Sequence, residues 1–311
     1  MAGVRQYNRW IWRVSDENAL KVPLHVHLVA GKEYAVWVDT GHAALYPVLQ
    51  EAMDEAGVDA ARLRLILQTH PHYDHIGCTG RLRKEYHALA AGHASHADWH
   101  NNFEQHIKLY ALTFPDLVEA TPELRSGILG NLDEEHPLDI HIQEGTEFDL
   151  GGAVLAAYQF AGHMEHEMGY FEKQSKTLIL GDTLPPLHSP LLFGHVTVGG
   201  FRKSLIRIEE LLESLEIRSV LLTHYPPQTP SQTRALIHAT GEYLDRIDTI
   251  VLNLIIGHQE IRLNDLWKAV AKTMQKEPDY RALRTVEAHV RGLIKKGKVK
   301  VIEPKMYGPA E

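Results

Sequence analysis

Short apolar runs of strand length, each closed by polar or glycine-containing turns, recur through the first two thirds of the chain. Leu63 to Gln68, Val154 to Phe160, Thr177 to Leu180 and Ser219 to Thr223 read as buried strands, because they are too short for helices and rich in leucine and β-branched residues. Tyr7 to Val14, Pro23 to Ala30 and Glu33 to Asp39 carry the alternation or β-branched and aromatic content of strands, and Ala30-Gly31-Lys32 predicts a hairpin between the second and third. Asp139 to Ile142, Glu147 to Leu150 and Met168 to Phe171 add further strands. Helical spacing predicts helices over Ala43 to Ala56, stopped by Gly57, and over Arg81 to Tyr86, Phe201 to Leu215 and Thr229 to Ile247. Ser95 to His136 interrupts this alternation with a mostly helical, aromatic-bearing stretch. From Gln259 the pattern changes to two amphipathic helices, Leu263 to Met274 and Tyr280 to Lys296, followed by a turn and a short strand. Periodicity alone restricts the fold to α/β or α+β.

The chemistry collects where the strands end. Directly after the run Leu63 to Gln68 comes His-x-His-x-Asp-His, formed by His70, His72, Asp74 and His75, with Pro71 stiffening the segment. Two residues apart in extended chain, His70 and His72 can turn their imidazoles to one side and chelate one ion, while Asp74 and His75 on the next turn can face a second. Imidazole with some carboxylate suits Zn²⁺, and also Fe or Mn. Other candidates follow apolar runs in the same way: Asp39, His163, Asp182 and His224. Open α/β architectures place ligands beyond strand ends.

Together these residues resemble the pattern of the metallo-β-lactamase fold hydrolases, on the glyoxalase II and lactonase side. The resemblance implies a four-layer αββα sandwich spanning residues 1–250, with residues 95–136 as a helical insertion near the metal mouth. That insertion is open to reading as a substrate-covering cap, a structural insertion or a dimerisation element. The resemblance further implies one divalent ion held by His70, His72 and His163 and another by Asp74, His75 and His224, with Asp182 bridging and Asp39 supporting the loop without binding metal. Zinc is the expected metal, and the expected nucleophile is a metal-bound hydroxide, with Asp74 or Asp182 orienting it and passing on a proton. The expected reaction is hydrolysis of an ester-type bond in a small-molecule substrate, such as a thioester or lactone. β-Lactam cleavage is disfavoured because the common zinc β-lactamases carry cysteine where Asp182 stands, and acyl-homoserine lactones are in doubt because Pro185 replaces a tyrosine. Rival readings are a mononuclear iron persulfide dioxygenase and a regulatory, partner-binding member with incidental hydrolysis. A flavodiiron enzyme fits less well, since it has glutamate where His72 stands. Residues 259–311 resemble a small winged-helix domain, whose Lys295, Lys296, Lys298 and Lys300 suit either phosphate contacts or the helix C-terminal dipole; the dipole reading is preferred.

The chain holds 21 histidines, so those outside this set need separate treatment. His166, three residues beyond His163, is a candidate for orienting a carboxylate or substrate. His188, His195 and Tyr225 are candidates for oxyanion contact or substrate orientation. His93, His96, His100 and His106 do not share one helical face, and solvated or capping roles are expected for them.

Composition narrows the setting. The 311 residues are 44% hydrophobic and 23% charged, enough for one large α/β domain with a small appendage. A formal net charge of -8 argues against nucleic acid or an anionic membrane as partner, and leaves room for a homodimer. Cys78, the one cysteine, suits a reducing compartment and is expected as a small buried residue at a helix start. With no membrane-length apolar run and no charged-then-apolar leader pattern, a cytoplasmic location is expected.

Overall fold

The computed structural model describes residues 3–17 and 22–310. Its first sheet has seven strands in sequential order: β1 (Gly3–Gln6), β2 (Ile11–Glu17), β3 (Pro23–Ala30), β4 (Ala35–Val38), β5 (Leu63–Leu67), β6 (Leu89–Gly92) and β7 (Ile140–His141). Strands β1 to β4 pair antiparallel, and β4 to β7 run parallel. The second sheet contains β8 (Glu147–Asp149), β9 (Val154–Phe160), β10 (Glu167–Glu172), β11 (Thr177–Leu180), β12 (Ser219–Leu222) and β13 (Tyr225–Gln228), ordered β13-β12-β11-β10-β9-β8. A third, small sheet of β14 (Ile261–Arg262), β15 (Val299–Glu303) and β16 (Met306–Pro309) has the order β14-β16-β15.

The helices are α1 (Tyr46–Glu55), α2 (Tyr73–Ile76), α3 (Thr79–Tyr86), α4 (Ala97–His100), α5 (Phe103–Tyr110), α6 (Pro122–Leu129), α7 (Val198–Ser214), α8 (Pro230–His258), α9 (Leu263–Thr273) and α10 (Tyr280–Lys295). No helix is long and apolar enough to cross a membrane among the described residues.

Strand alternation explains the layering. In β4, Val36 and Val38 face the second sheet and meet Ile179 and Leu221, whereas Ala35 and Trp37 face outward onto Leu49 and Met53 of α1. In β11 and β12 the same alternation sends Leu178, Leu180, Val220 and Leu222 against Phe201 and Ile208 of α7 and Leu244 of α8. The result is the helix-sheet-sheet-helix sandwich, with the central core between the two sheets. Each fully buried leucine or isoleucine there contributes about 1.5–3 kcal/mol.

Several element predictions need revision. Tyr7 to Val14 is not one strand, because the Asn8 side chain accepts from the backbone of Trp10 and Ile11 and turns the chain between β1 and β2. Strands β6 and β13 were not anticipated; the first is a run of small residues and the second contains two prolines, both weak strand signals. Helix α8 does not stop at Ile247 but continues to His258, because Ile247, Val251 and Ile255 pack into a cluster with α9, α10 and the third sheet. One rigid helix therefore belongs to both the sandwich and the C-terminal unit.

An ionic network fixes the same junction. Asp248 of α8 pairs with His289 of α10 at 2.6 Å, with Lys296 at 2.9 Å and, more distantly, with Arg202 of α7 at 3.5 Å. Burial alone would raise the Asp248 carboxyl, but His289 and Lys296 outweigh it and hold the pKa at about 2. A depressed carboxyl contributes stability that is present above its unfolded value and lost as the pH falls toward 2. With solvent screening discounted, Asp248→Asn should cost about 1–2 kcal/mol near neutrality. Denaturant melts should show that deficit narrowing between about pH 4 and the acid limit; a deficit independent of pH would exclude the charge as its cause.

Candidate metal centre

Strands β9 and β11 both run antiparallel to β10, and β12 runs parallel to β11, so β9, β11 and β12 all end at one edge of the second sheet. Just beyond those ends stand His163, Asp182 and His224. The parallel pair β4 and β5 delivers Asp39 and the His70–His75 loop from the first sheet. The sheets are joined at this edge: His25 N donates to Thr223 O at 2.8 Å, and His224 Nδ1 lies 2.6 Å from Pro23 O. The topology thus brings together residues up to 185 positions apart, from Asp39 to His224.

Two groups of nitrogens result. His70 Nε2, His72 Nδ1 and His163 Nε2 lie 2.8–3.2 Å from one another. His75, His224 and Asp74 form the second group, with Asp74 Oδ2 3.9 Å from His224 Nε2. Asp182 stands between them. Its Oδ2 is 3.5 Å from His163 Nε2 and 4.0 Å from His70 Nε2, while Oδ1 is 3.2 Å from His224 Nε2 and 3.5 Å from His75 Nε2.

The opposite edges of these rings are engaged. His163 Nδ1 bonds Gly194 O, His224 Nδ1 bonds Pro23 O, and His75 Nδ1 bonds Asp39 Oδ2 at 2.8 Å. Asp39 also accepts from Thr69 N and Thr69 Oγ1. Its φ of 58°, in the left-handed region that aspartate tolerates, turns the chain so that the carboxylate reaches under the histidine loop. Burial, reinforced by neighbouring imidazoles, drives His70 and His72 well below the ordinary histidine range, and burial holds His163 at about 4. Burial thus favours the neutral rings, whose inward nitrogens can each offer a lone pair to a shared ion. For His75 and His224 burial opposes the charged form, but the nearby carboxylates outweigh it and raise both.

A divalent ion fits this donor set. Three nitrogens each about 2.0–2.1 Å from one tetrahedral ion stand about 3.3 Å apart, close to the spacing of the first group. His75 Nε2 and Asp182 Oδ1 are buried without a hydrogen-bond partner, the condition expected of atoms whose partner is an ion. Each group could hold a metal ion.

Residues 22–224, about two thirds of the chain, match the family model described as the metallo-beta-lactamase superfamily. The chain belongs to this superfamily. Superfamily members are typically metal-dependent hydrolases. No curated protein matches the sequence. Among solved structures, a metallo-beta-lactamase family protein from Thermus thermophilus superposes with a TM-score of 0.79 at 18% identity, covering 98% of this chain and 100% of its own. A beta-lactamase domain protein from Burkholderia ambifaria gives 0.73 at 15% identity, covering 99% and 93%. An archaeal metallo-beta-lactamase superfamily protein from Sulfolobus tokodaii gives 0.57 at 19% identity, covering 89% and 99%. At these identities the likeness concerns the fold alone.

The remaining candidates of this superfamily member lie in different surroundings. Tyr225 has its hydroxyl occupied, donating to Pro185 O at 2.8 Å and accepting from Leu187 N at 3.0 Å; it braces the loop after Asp182. His188 packs on Tyr225. His195 is buried against His289 and Phe201, and His166 bonds Gln159 and stacks on His93. The solvated role expected for His96, His100 and His106 is overturned: all three are buried. His96 bonds His166 O and His106 bonds Trp99 O, so short helices packed on the sandwich enclose them. His93 does take a capping role, accepting from Ser95 N. Cys78 is buried at the start of α3, as expected.

Two groups of functional residues were not foreseen. Glu167, at the start of β10, is buried and accepts from Asp182 N at 2.6 Å; burial and the neighbouring Asp182 charge push its carboxyl up to about 8. The signal available was an acidic residue heading an otherwise apolar strand. Tyr280, Arg281 and Arg284, from the first turns of α10, line the pocket over the histidines together with Tyr73 and Tyr110. No motif marks them, since only folding carries α10 back over the strand ends.

Proposed function

We propose that this chain is a dinuclear metal hydrolase that cleaves an ester-type acyl bond, a thioester, lactone or related substrate. The observation carrying the reading is Asp182, a buried carboxylate whose two oxygens face two separate nitrogen groups. In this reading His70, His72 and His163 would hold one ion and Asp74, His75 and His224 the other, with Asp182 available to both. Divalent ions there, zinc by the donor set, would acidify a coordinated water and polarise the substrate carbonyl.

The chain's own residues supply the rest. Asp39 and Gly194 O orient His75 and His163 through their far nitrogens, which fixes which nitrogen faces the centre. Asp74, partly exposed at the mouth, is placed to take the water proton and deliver it to the departing sulfur or oxygen as the acyl carbon gains the water oxygen and loses its leaving group. Tyr110 and Trp99 of residues 95–136 pack on His72, consistent with that segment covering the mouth. Residues 259–311 suit a winged-helix-like unit by their order of helix, strand and wing, and they serve here as a pocket wall. A reducing, cytoplasmic setting suits the unpaired, buried Cys78.

Purified protein should carry about two divalent ions per chain and, in a thioester, lactone, phosphodiester and β-lactam panel, hydrolyse thioester or lactone members. Chelation should abolish turnover and added zinc restore it, and His72→Ala should lose both metal and turnover. Full turnover by a metal-free sample would overturn the reading.

A further inference from the structure

The pocket over the histidines is lined by groups of both charges. Its carboxylates, Asp74 and Asp182, sit beside the histidines. From His72 a chain of aromatic rings runs through Tyr110 at 4.6 Å to Tyr280 at 5.3 Å, with Tyr73 edge-on to Tyr110. Next to Tyr280, α10 presents Arg281 and Arg284 to the same pocket, and Arg284 stands near enough to His72 and His163 for its charge to act on both.

The two guanidiniums are not equivalent. Arg281 is neutralised in part by Asp279, at 2.6 Å, and lies over the ring of Tyr280. Arg284 has no carboxylate within ion-pair distance among the described residues; Glu287, one turn on, pairs with Arg291 at 2.8 Å and acts on Arg284 from farther off. Burial, ahead of any neighbouring charge, lowers its pKa to about 10. A half-buried guanidinium without a paired carboxylate favours an anion that can meet it. Its fork of donors matches the oxygens of a carboxylate or phosphate.

We infer that this pocket selects acyl substrates bearing an oxyanion group, carboxylate or phosphate, seated on Arg284 with Arg281 beside it, while the scissile bond lies beside Asp182. This rests on the hydrolase reading above. It makes α10 part of the substrate site and explains why α8 ties the C-terminal unit rigidly to the sandwich.

The test uses metal-loaded, full-length protein and three matched thioesters that differ only in one terminal group: carboxylate, phosphate monoester or neutral amide. The terminal group is placed on the acyl chain in one series and on the thiol in another. At least one anionic arm should exceed its amide counterpart about 10-fold or more in kcat/KM, the size of a charge-assisted hydrogen bond, and the better arm tells carboxylate from phosphate. Arg284→Gln should collapse that ratio mainly through KM, and Arg284→Lys should restore part of it. Equal kcat/KM for charged and neutral arms, or an Arg284→Gln variant that keeps the ratio, would overturn the inference while leaving the hydrolase reading intact. If no thioester is hydrolysed, the hydrolase reading is judged separately on the substrate panel above, and calorimetric binding of glutarate and of glycerol phosphate decides the anion site. Binding of either, weakened about 10-fold or more by Arg284→Gln, upholds it; equal binding by both proteins, or none by wild type, overturns it. A thermal melt of Arg284→Gln matching wild type shows that the variant is folded, and Arg284→Lys serves where it is not.

Discussion

Asp182→Asn should reduce turnover by about 10³-fold or more, a loss of about 4 kcal/mol of transition-state stabilisation, and should lower the metal content below two ions per chain. The substitution keeps the side chain's shape but removes its charge and turns one oxygen into an amide nitrogen, a donor with no lone pair for an ion. Because Oδ1 and Oδ2 face different nitrogen groups, the amide can serve one group and not both. The change also removes the anion that balances His75 and His224 and that adds to burial in raising the Glu167 carboxyl. Metal analysis by mass spectrometry, run beside steady-state kinetics, checks both halves of the expectation. A variant that retains two ions and wild-type turnover would show that Asp182 does not bridge.

Gly77→Ala should lower stability by about 3 kcal/mol, or about 6 °C in Tm, and take activity with it. Gly77 follows α2 directly, and its φ of -60° is ordinary, so the constraint is space and not backbone conformation. A Cβ there would stand 2.2 Å from Asn131 O, 2.6 Å from Gly41 O and 2.7 Å from Ala43 N, all of them backbone atoms. A side chain can swing aside, but three backbone segments cannot retreat without moving what they carry. Gly77 N donates to Gly41 O, two residues after Asp39, and Gly77 O accepts from Asp133 N at the end of the inserted segment. Any relief therefore shifts Asp74 and His75 relative to Asp39 and His224. Differential scanning calorimetry with metal titration tests this; an unchanged Tm together with unchanged zinc affinity would contradict it.

These two positions differ in how visible they were in the chain. Asp182 stood at the end of an apolar strand, in order behind the other candidates, and so could be picked out from pattern and resemblance. The importance of Gly77 lies in the backbone of Asn131 and Gly41, which no local pattern reports. The same division holds for the histidines. His70 and His72 were legible because strand geometry alone lets residues two apart chelate. His96, His100 and His106 were misjudged because their burial depends on how the segment from residue 95 to 136 packs, which its irregular spacing does not encode.

By itself the sequence determined the alternation of buried strands, the order in which candidate ligands follow them, and hence the edge of the fold where chemistry collects. It could do so because strand length, side-chain period and turn residues are local properties. Tertiary structure alone decided the rest: that the two sheets close so that Pro23 O meets His224, that Tyr225 is consumed in bracing a loop, and that α8 runs unbroken into the C-terminal unit. It also carried Arg281 and Arg284 more than a hundred residues back over His163. Those are contacts between distant segments, set by which apolar faces bury one another, and no window along the chain contains both partners.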